Sequence, residues 1–467
     1  MITKDAVRRR PLEFALFVVG VAALGFNLRG AITSLPPVFP ELQSSLRLSG
    51  AELSVLAAVP TIVFAVVSGF AAWMARRLGE ERVLFIAIVA LAAGLVLRGV
   101  AASALLFPGT ILAAAAIAVM NVLLSSLIKR RWPERAGFFV GLYITALSAG
   151  AIVGSLVSVP LWNATSGSVP LTLGWLALPA LIAAALWLPQ FRYQTRELKA
   201  APPQQLRSAK RGTSARTTRA CGGFERPEAS GKARPGASGK TPRAGLIRSA
   251  LAWQVTIFMG TQSLLYYATL SWLPSILRDR GESAVTAGDM LALMGVGNVA
   301  VALIVPMLAQ RMRSQQVMIV PTVIALAAGL AGAVYAPLGS AAVWVLILGA
   351  GQNAALSLAI YFTMARAPHP AAAASLSALA QAAGYLLASA GPLEVGLLHS
   401  ATGSWTLPVN VLLALNVVLL IAGVLAARDR VLPGNGVPEG AARGDGLPGS
   451  GGRDAGAGGE TTGRSAE

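Results

Sequence analysis

The octapeptide Asn27-Leu28-Arg29-Gly30-Ala31-Ile32-Thr33-Ser34 lies inside the first long apolar stretch of the chain, which runs from about Leu12 into the Leu35 to Leu42 region. It sets a guanidinium where hydrocarbon is expected, and an arginine at the centre of a bilayer costs roughly 2.5–3.5 kcal/mol on translocon scales. Something must offset that cost: a water-filled cavity, a carbonyl or carboxylate partner elsewhere in the bundle, or an anionic ligand. If the first helix ends near Ser34, Arg29 only snorkels toward the nearer interface. If the helix continues through Pro36 and Pro37 to about Gln43, following Leu35, Val38, Phe39 and Leu42, Arg29 sits near the midplane, and this is the preferred reading. Asn27, Gly30 and Ser34 then form a polar, small-residue stripe, and Thr33, four residues after Arg29, shares the face of the arginine.

The rest of the chain has the same apolar character. Its 467 residues are 55% apolar and 12% charged, with a mean hydropathy of +0.64, whereas soluble domains carry about a quarter charged residues. The chain therefore reads as an integral membrane protein. Arg8-Arg9-Arg10 precede an apolar run too long for a signal peptide and without a small-residue cleavage pattern, so the start reads as a basic cytoplasmic flank on a retained first span. A single cysteine, Cys221, and two histidines, His369 and His399, supply no disulfide framework and no paired spacing for a metal or cluster; no cofactor is expected. There is no Gly-x-x-x-x-Gly-Lys-Ser/Thr loop, so ATP is not the evident energy source and the chemistry points to secondary transport.

Apolar segments of about 20 residues, each able to cross a hydrocarbon core of about 30 Å as helix, recur near 12–40, 52–75, 83–102, 106–128, 137–160 and 173–189, then near 250–276, 287–309, 316–337, 340–364, 373–398 and 405–427. The chain thus divides into an N-terminal tail (1–11), a six-helix half (12–189), a basic cytoplasmic loop (190–249), a second six-helix half (250–427) and a C-terminal tail (428–467). With both termini cytoplasmic, the short inner segments hold 14 Lys and Arg residues, and the outer loops hold only Arg47, Arg278 and Arg280. The positive-inside rule requires such an asymmetry, and an odd number of spans would scramble it.

Residues 190–248 carry 14 Lys and Arg against 3 Glu, in a Gly-, Pro- and Ser-rich composition that cannot build a core. Most of the net charge of +18 therefore belongs to one disordered loop, with anionic lipid headgroups as a contact, and not to a nucleic-acid surface. The Gly-rich tail reads as disordered too. Span five carries Gly141, Gly150 and Gly154, and span eleven carries Gly384, Gly391-Pro392 and Gly396. This echo fits a parallel repeat with close backbone approach; the competing account is that glycine is simply common in membrane helices.

Polar residues inside the spans are few. Gln352-Asn353 fall in span ten, Gln381, Tyr385 and Glu394 in span eleven, Gln262, Tyr266 and Tyr267 in span seven, Asn121 in span four and Asn298 in span eight. Amides and phenols orient a small polar solute without adding a full charge, and interhelical hydrogen bonding is the competing role for each. Arg98, toward the outer end of span three, is expected to snorkel. Glu394 and Asp289 are candidate proton carriers or arginine partners, an interfacial position being the other reading.

Further features join these: Arg76-Arg77-Leu78-Gly79 after span two, Leu127-Ile128-Lys129-Arg130-Arg131 with Pro133-Glu134-Arg135 after span four, Gly384-Tyr385-Leu386-Leu387, and Leu398-His399 followed by Thr402-Gly403-Ser404-Trp405. In this order and spacing the chain resembles the cyanate porter branch of the major facilitator superfamily, which includes bacterial cyanate and 2-nitroimidazole transporters. The resemblance covers nearly all of both halves. It implies a plasma-membrane secondary transporter with its site between the halves near the midplane, alternating access, and a small anionic or polar organic solute. In the superfamily the loop after span two has an acidic residue and two basic ones around its glycine; here Arg76 takes the acidic place and Glu80-Glu81 follow Gly79, so the usual inter-helix charge contact is expected to be inverted or lost. Ser155 stands where the superfamily's antiporter motif has proline, so exchange is not inferred.

The expected protein is thus an all-α membrane protein of twelve transmembrane helices in two six-helix halves. Arg29 supplies the attracting charge, Asn27 and Thr33 flank it, Gln352, Asn353, Gln381 and Tyr385 orient the solute, and Glu394 or Asp289 couples to protons. Its partners are a small solute, the lipid bilayer and protons, with no nucleic acid. A proton-coupled multidrug exporter of the same fold is the nearest alternative; it would need Glu394 or Asp289 and dispense with Arg29. A transporter-like sensor would need the basic loop to bind a cytoplasmic partner. A membrane-embedded enzyme would need clustered acidic or His residues at an aqueous loop, which the short outer loops lack.

Overall fold

The computed structural model describes residues 4–100, 103–132, 135–200, 246–302, 304–312, 314–368 and 370–432. The expectations for the bulk of the basic loop and of the Gly-rich tail, together with Cys221 and His369, lie outside the described residues.

The first half comprises α1 (Lys4–Thr33), α2 (Phe39–Leu46), α3 (Gly50–Leu78), α4 (Glu80–Gly99), α5 (Ser103–Arg131), α6 (Ala136–Ala164), α7 (Val169–Gly174) and α8 (Ala177–Ala200). The second comprises α9 (Ala250–Asp279), α10 (Ala284–Ala302), α11 (Ile304–Arg311), α12 (Gln316–Tyr335), α13 (Ala341–Ala365), α14 (Pro370–Thr402) and α15 (Thr406–Ala426). α1 with α2, α7 with α8, and α10 with α11 each make one crossing, which gives twelve. Ten of these are long and apolar enough to cross a membrane. The other two, α9 and α14, have 30 and 33 residues but carry Gln262, Tyr266 and Tyr267, and Gln381, Tyr385 and Glu394. These two least apolar crossings pack against each other, so the polar groups are gathered where lipid does not reach them.

Helix α8 runs ten residues past Gln190 because Phe191 to Ala200 contains neither Gly nor Pro to stop it. The first crossing departs from the expected continuous helix. Pro36 and Pro37 lack the N–H groups that would bond the Ile32 and Thr33 carbonyls. The α-helix stops at Thr33, Pro36–Val38 form a 3-10 turn, and α2 resumes. The apolar path still runs from Glu13 to Leu46, and Arg29 falls midway along it.

Arg98 does not snorkel. It is 1% exposed, and its guanidinium donates to Ala31 O at 2.8 Å, Leu173 O at 3.3 Å and Ser34 Oγ at 3.4 Å. Carbonyls at the end of a broken helix need donors, and the proline break creates that need beside the Arg98 position. Arg366 plays the equivalent part for α15: its Nε bonds Ala426 O and its Nη2 bonds Ala427 O, each at 3.0 Å.

Within the first half α1 lies along α6 and α4 along α5; within the second α9 lies along α14 and α12 along α13. Two seams join the halves, α3 with α14 and α6 with α10. The glycine echo has a steric content at specific places. A Cβ on Gly150 would sit 1.9 Å from Phe26 O, and one on Gly391 would sit 2.6 Å from Leu264 O, so α1/α6 and α9/α14 approach by their backbones. Gly141 has nothing within 4 Å of such a Cβ and takes no part.

At the basic end of the bundle the charge contact, expected to be inverted or lost, is present with its carboxylates on the far side of Gly79. Arg130 pairs with Glu81 at 2.8 Å and Glu80 at 3.3 Å, and the Ser126 hydroxyl donates to Glu80 at 2.8 Å. The carboxylates moved past Gly79 into the first turn of α4, where the helix dipole favours them, and there they meet the end of α5.

Candidate functional site

The site is built on the broken first crossing. α1 is held against α6 by backbone approach and by Thr33, whose hydroxyl donates to Ala151 O at 2.9 Å. It is held against α8 by Asn27, whose Nδ2 donates to Pro179 O at 3.2 Å and to Ala23 O at 2.8 Å. Asn27 and Thr33 are thus committed to fixing the helix that presents Arg29.

Arg29 itself keeps some accessible surface, while its Nε is buried without a hydrogen-bond partner. Among the described residues it has no carboxylate within ion-pair distance. Its guanidinium carbon lies 4.6 Å from the centre of the Tyr266 ring. The rings form a chain of edge contacts: Tyr266 with Tyr267 at 5.2 Å, Tyr267 with Tyr385 at 6.5 Å, and Tyr385 with Phe64 at 5.7 Å. This chain crosses from α9 and α14 of the second half to α3 of the first.

Beside Tyr385 a cavity of about 140 Å³ is lined by Phe64, Ser68, Ala118, Asn121, Val122, Gln381 and Tyr385. It draws on both halves and has room for several waters or one small planar solute. The Asn121 Oδ1 accepts from the Tyr143 hydroxyl at 2.6 Å, and Gln381 Nε2 donates to Ser377 Oγ at 3.0 Å.

The sequence-predicted residues therefore separate. Tyr385 and Gln381 share the cavity wall, and Arg29 lies over Tyr266, which reaches Tyr385 through Tyr267. Asn353 donates to Asn298 O at 2.6 Å, tying α13 to α10. Gln352 is 2% exposed, and neither its amide nitrogen nor its oxygen has a hydrogen-bond partner among the described residues, a costly state for a buried amide. Glu394 is half-buried and Asp289 exposed, and neither pairs with an arginine among the described residues. Tyr143 was missed by sequence reasoning. Its signal was present, since Tyr143, Gly150 and Gly154 fall on one face of the helix that packs on α1.

At the end opposite the basic one the halves meet through α2. Arg278 pairs with Glu41 at 2.8 Å, and the Phe39 ring lies 5.7 Å from Trp272. Trp405 donates to Asp279 at 2.6 Å and stacks on His399 at 3.6 Å, 6° from parallel.

Twelve crossings in two helical halves, with a cavity lined from both, define a multi-pass membrane protein of transporter architecture. The chain belongs to the Major Facilitator Superfamily, whose family model matches residues 15–392. It is 36% identical to an uncharacterized transporter, YycB, of Bacillus subtilis (strain 168) over 89% of this chain and 94% of that one. It is 33% identical to the 2-nitroimidazole transporter of Escherichia coli (strain K12) over 89% and 96%, and 26% identical to the cyanate transport protein CynX of the same organism over 82% and 89%. Among solved structures, a bacterial homologue of the human lysosomal transporter Spinster, inward-facing and unoccupied, superposes with a TM-score of 0.67 at 16% identity, covering 90% of this chain and 99% of that one; this likeness concerns the fold. Secondary transport of small solutes by this family accounts for the two-halved fold.

Proposed function

We propose that the protein carries a small organic anion, or a planar polar solute that accepts strong hydrogen bonds, across the plasma membrane. Cyanate and 2-nitroimidazole, named in two of the relatives, are of this chemical kind. The observation that carries the reading is Arg29: a guanidinium midway along its crossing, with no carboxylate within ion-pair distance among the described residues, set against the Tyr266 face. A lone cation at that depth costs a few kcal/mol, and an anionic solute offsets it while gaining a charge-assisted bond. Tyr385, Gln381 and the unpartnered amide of Gln352 orient the solute.

The basic end, with Glu80, Glu81 and Arg130, faces the cytoplasm in this reading, as the charge asymmetry requires. The Glu41–Arg278 latch then closes the outer face, and both termini are cytoplasmic. Protons are the proposed coupling ion, and Glu394, half-buried on α14, is the carboxylate proposed to exchange them.

The test is binding by the purified protein in lipid nanodiscs, using cyanate, nitrite, acetate, benzoate, 2-nitroimidazole and a lipophilic cation. The reading expects at least one anion to bind with an affinity that weakens as salt is raised. Binding confined to the cation would contradict it and favour a multidrug exporter.

A further inference from the structure

The cavity between the halves is small, and most of its wall is held in place. Phe64 of α3 and Tyr385 of α14 meet edge to face at 5.7 Å, which closes the wall where the two halves touch. Asn121 is held by the Tyr143 hydroxyl at 2.6 Å, and Gln381 by the Ser377 hydroxyl at 3.0 Å. Each of these four side chains would have to give up a contact to move outward. The rest of the wall includes two small residues. Ser68 lies one turn after Phe64 on α3, and Ala118 lies one turn before Asn121 and Val122 on α5, so each shares the cavity face of its helix.

The enclosed volume is about 140 Å³. A cavity of about 150 Å³ holds one benzene ring, so there is room here for one six-membered ring and not for two. Ala118 has the smallest side chain on the wall and is 2% exposed, being otherwise packed in the core. A longer side chain at that position therefore takes its space from the cavity. Leucine adds three carbon atoms, half the number in such a ring, and close-packed surroundings do not absorb an addition of that size.

We propose that Ala118 sets the upper size of the solute. In this conformation the cavity accepts a compact polar solute of up to about the girth of one six-membered ring, and Ala118, with Ser68 on α3, is the specificity-determining residue that leaves that much room. The limit rests on the solute being carried between the halves and on no property of Arg29. Bulky solutes of several fused rings are excluded, which separates this protein from a multidrug exporter.

The experiment measures binding of acetate, cyclopropanecarboxylate, cyclohexanecarboxylate and adamantane-1-carboxylate, and of the matching carboxamides, to the purified full-length protein in nanodiscs, with empty nanodiscs as the blank. Cyclohexanecarboxylate is expected to bind about tenfold more tightly than acetate, because its ring leaves water, and adamantane-1-carboxylate about tenfold more weakly than cyclohexanecarboxylate. In Ala118→Leu the advantage of cyclohexanecarboxylate over acetate is expected to vanish, with cyclopropanecarboxylate becoming the best of the series. In Ala118→Gly the ratio of adamantane to cyclohexane binding is expected to rise about threefold. An adamantane carboxylate that binds as tightly as the cyclohexane one in the unaltered protein overturns the size limit, and this comparison needs no variant to fold. Ratios that stay the same in both variants overturn the assignment to Ala118. Binding confined to the carboxamides fails the anion reading of Arg29 while the size limit is still read from the amides. Binding of neither series overturns the cavity as the place of the solute.

Discussion

The guanidinium of Arg29 and the ring of Tyr266 face each other at 4.6 Å across the boundary between the two halves. One comes from α1, the other from α9, so the position of the cation depends on how the halves are set. A cation over an aromatic face gains about 0.5–2 kcal/mol, enough to hold the guanidinium in place while leaving its N–H donors for a solute.

Tyr266→Phe keeps the ring and Tyr266→Leu removes it. Solute affinity is expected to change little in the first and to fall about fivefold in the second, the equivalent of about 1 kcal/mol. Equilibrium binding to the two variants checks this.

Arg98 predicts a stability effect. Arg98→Met removes three bonds from buried oxygens of Ala31, Ser34 and Leu173, and stranded buried acceptors cost about 1–3 kcal/mol each at most sites. The thermal midpoint in detergent is expected to drop by several degrees, with Arg98→Lys falling between. An unchanged midpoint would show that the break after Thr33 needs no cap.

The latch between α2 and α9 predicts a population shift. Glu41→Gln removes the charge that Arg278 meets at 2.8 Å, and a half-buried pair of this kind contributes on the order of 1 kcal/mol. In a Cys221→Ser background, spin labels at exposed Ser44 and Ser283 should show a longer-distance population that grows about fivefold in Glu41→Gln. A distance distribution that does not respond would remove the latch from the account.

The close approach of α1 and α6 predicts intolerance to a single methyl group. Gly150→Ala puts a Cβ within 1.9 Å of Phe26 O, and overpacking of this sort costs about 1–3 kcal/mol or more. Gly141→Ala, which meets nothing within 4 Å, should leave the thermal midpoint where it was.

Much of this was legible in the sequence. The span count followed from apolar length and from the asymmetry of arginines, because both are set by the bilayer and not by tertiary detail. Arg29 stood out because a charge in an apolar run is costly wherever the run packs. What periodicity does not carry is which polar side chain spends its hydrogen bonds on a neighbouring helix. Asn27, Thr33 and Asn353 look like solute contacts along the chain and prove to be bonded to Pro179, Ala151 and Asn298 across helices. Arg98 was misread for a related reason: of the two carbonyls it bonds, Ala31 O lies at the end of α1 that the Pro36-Pro37 break creates and Leu173 O belongs to α7, and a local scan connects neither to Arg98. Tyr143 was overlooked although it shares a face with Gly150 and Gly154, because its partner, Asn121, comes from another helix.

The central claim is that Arg29 attracts the solute, and its most direct test is the affinity of the purified protein for its tightest-binding anion in Arg29→Ala and Arg29→Lys. Removing the cation is expected to weaken binding about 100-fold, about 3 kcal/mol. The lysine is expected to recover part of the loss, because charge survives but the planar fork does not. Anion affinity undiminished in Arg29→Ala would contradict the account.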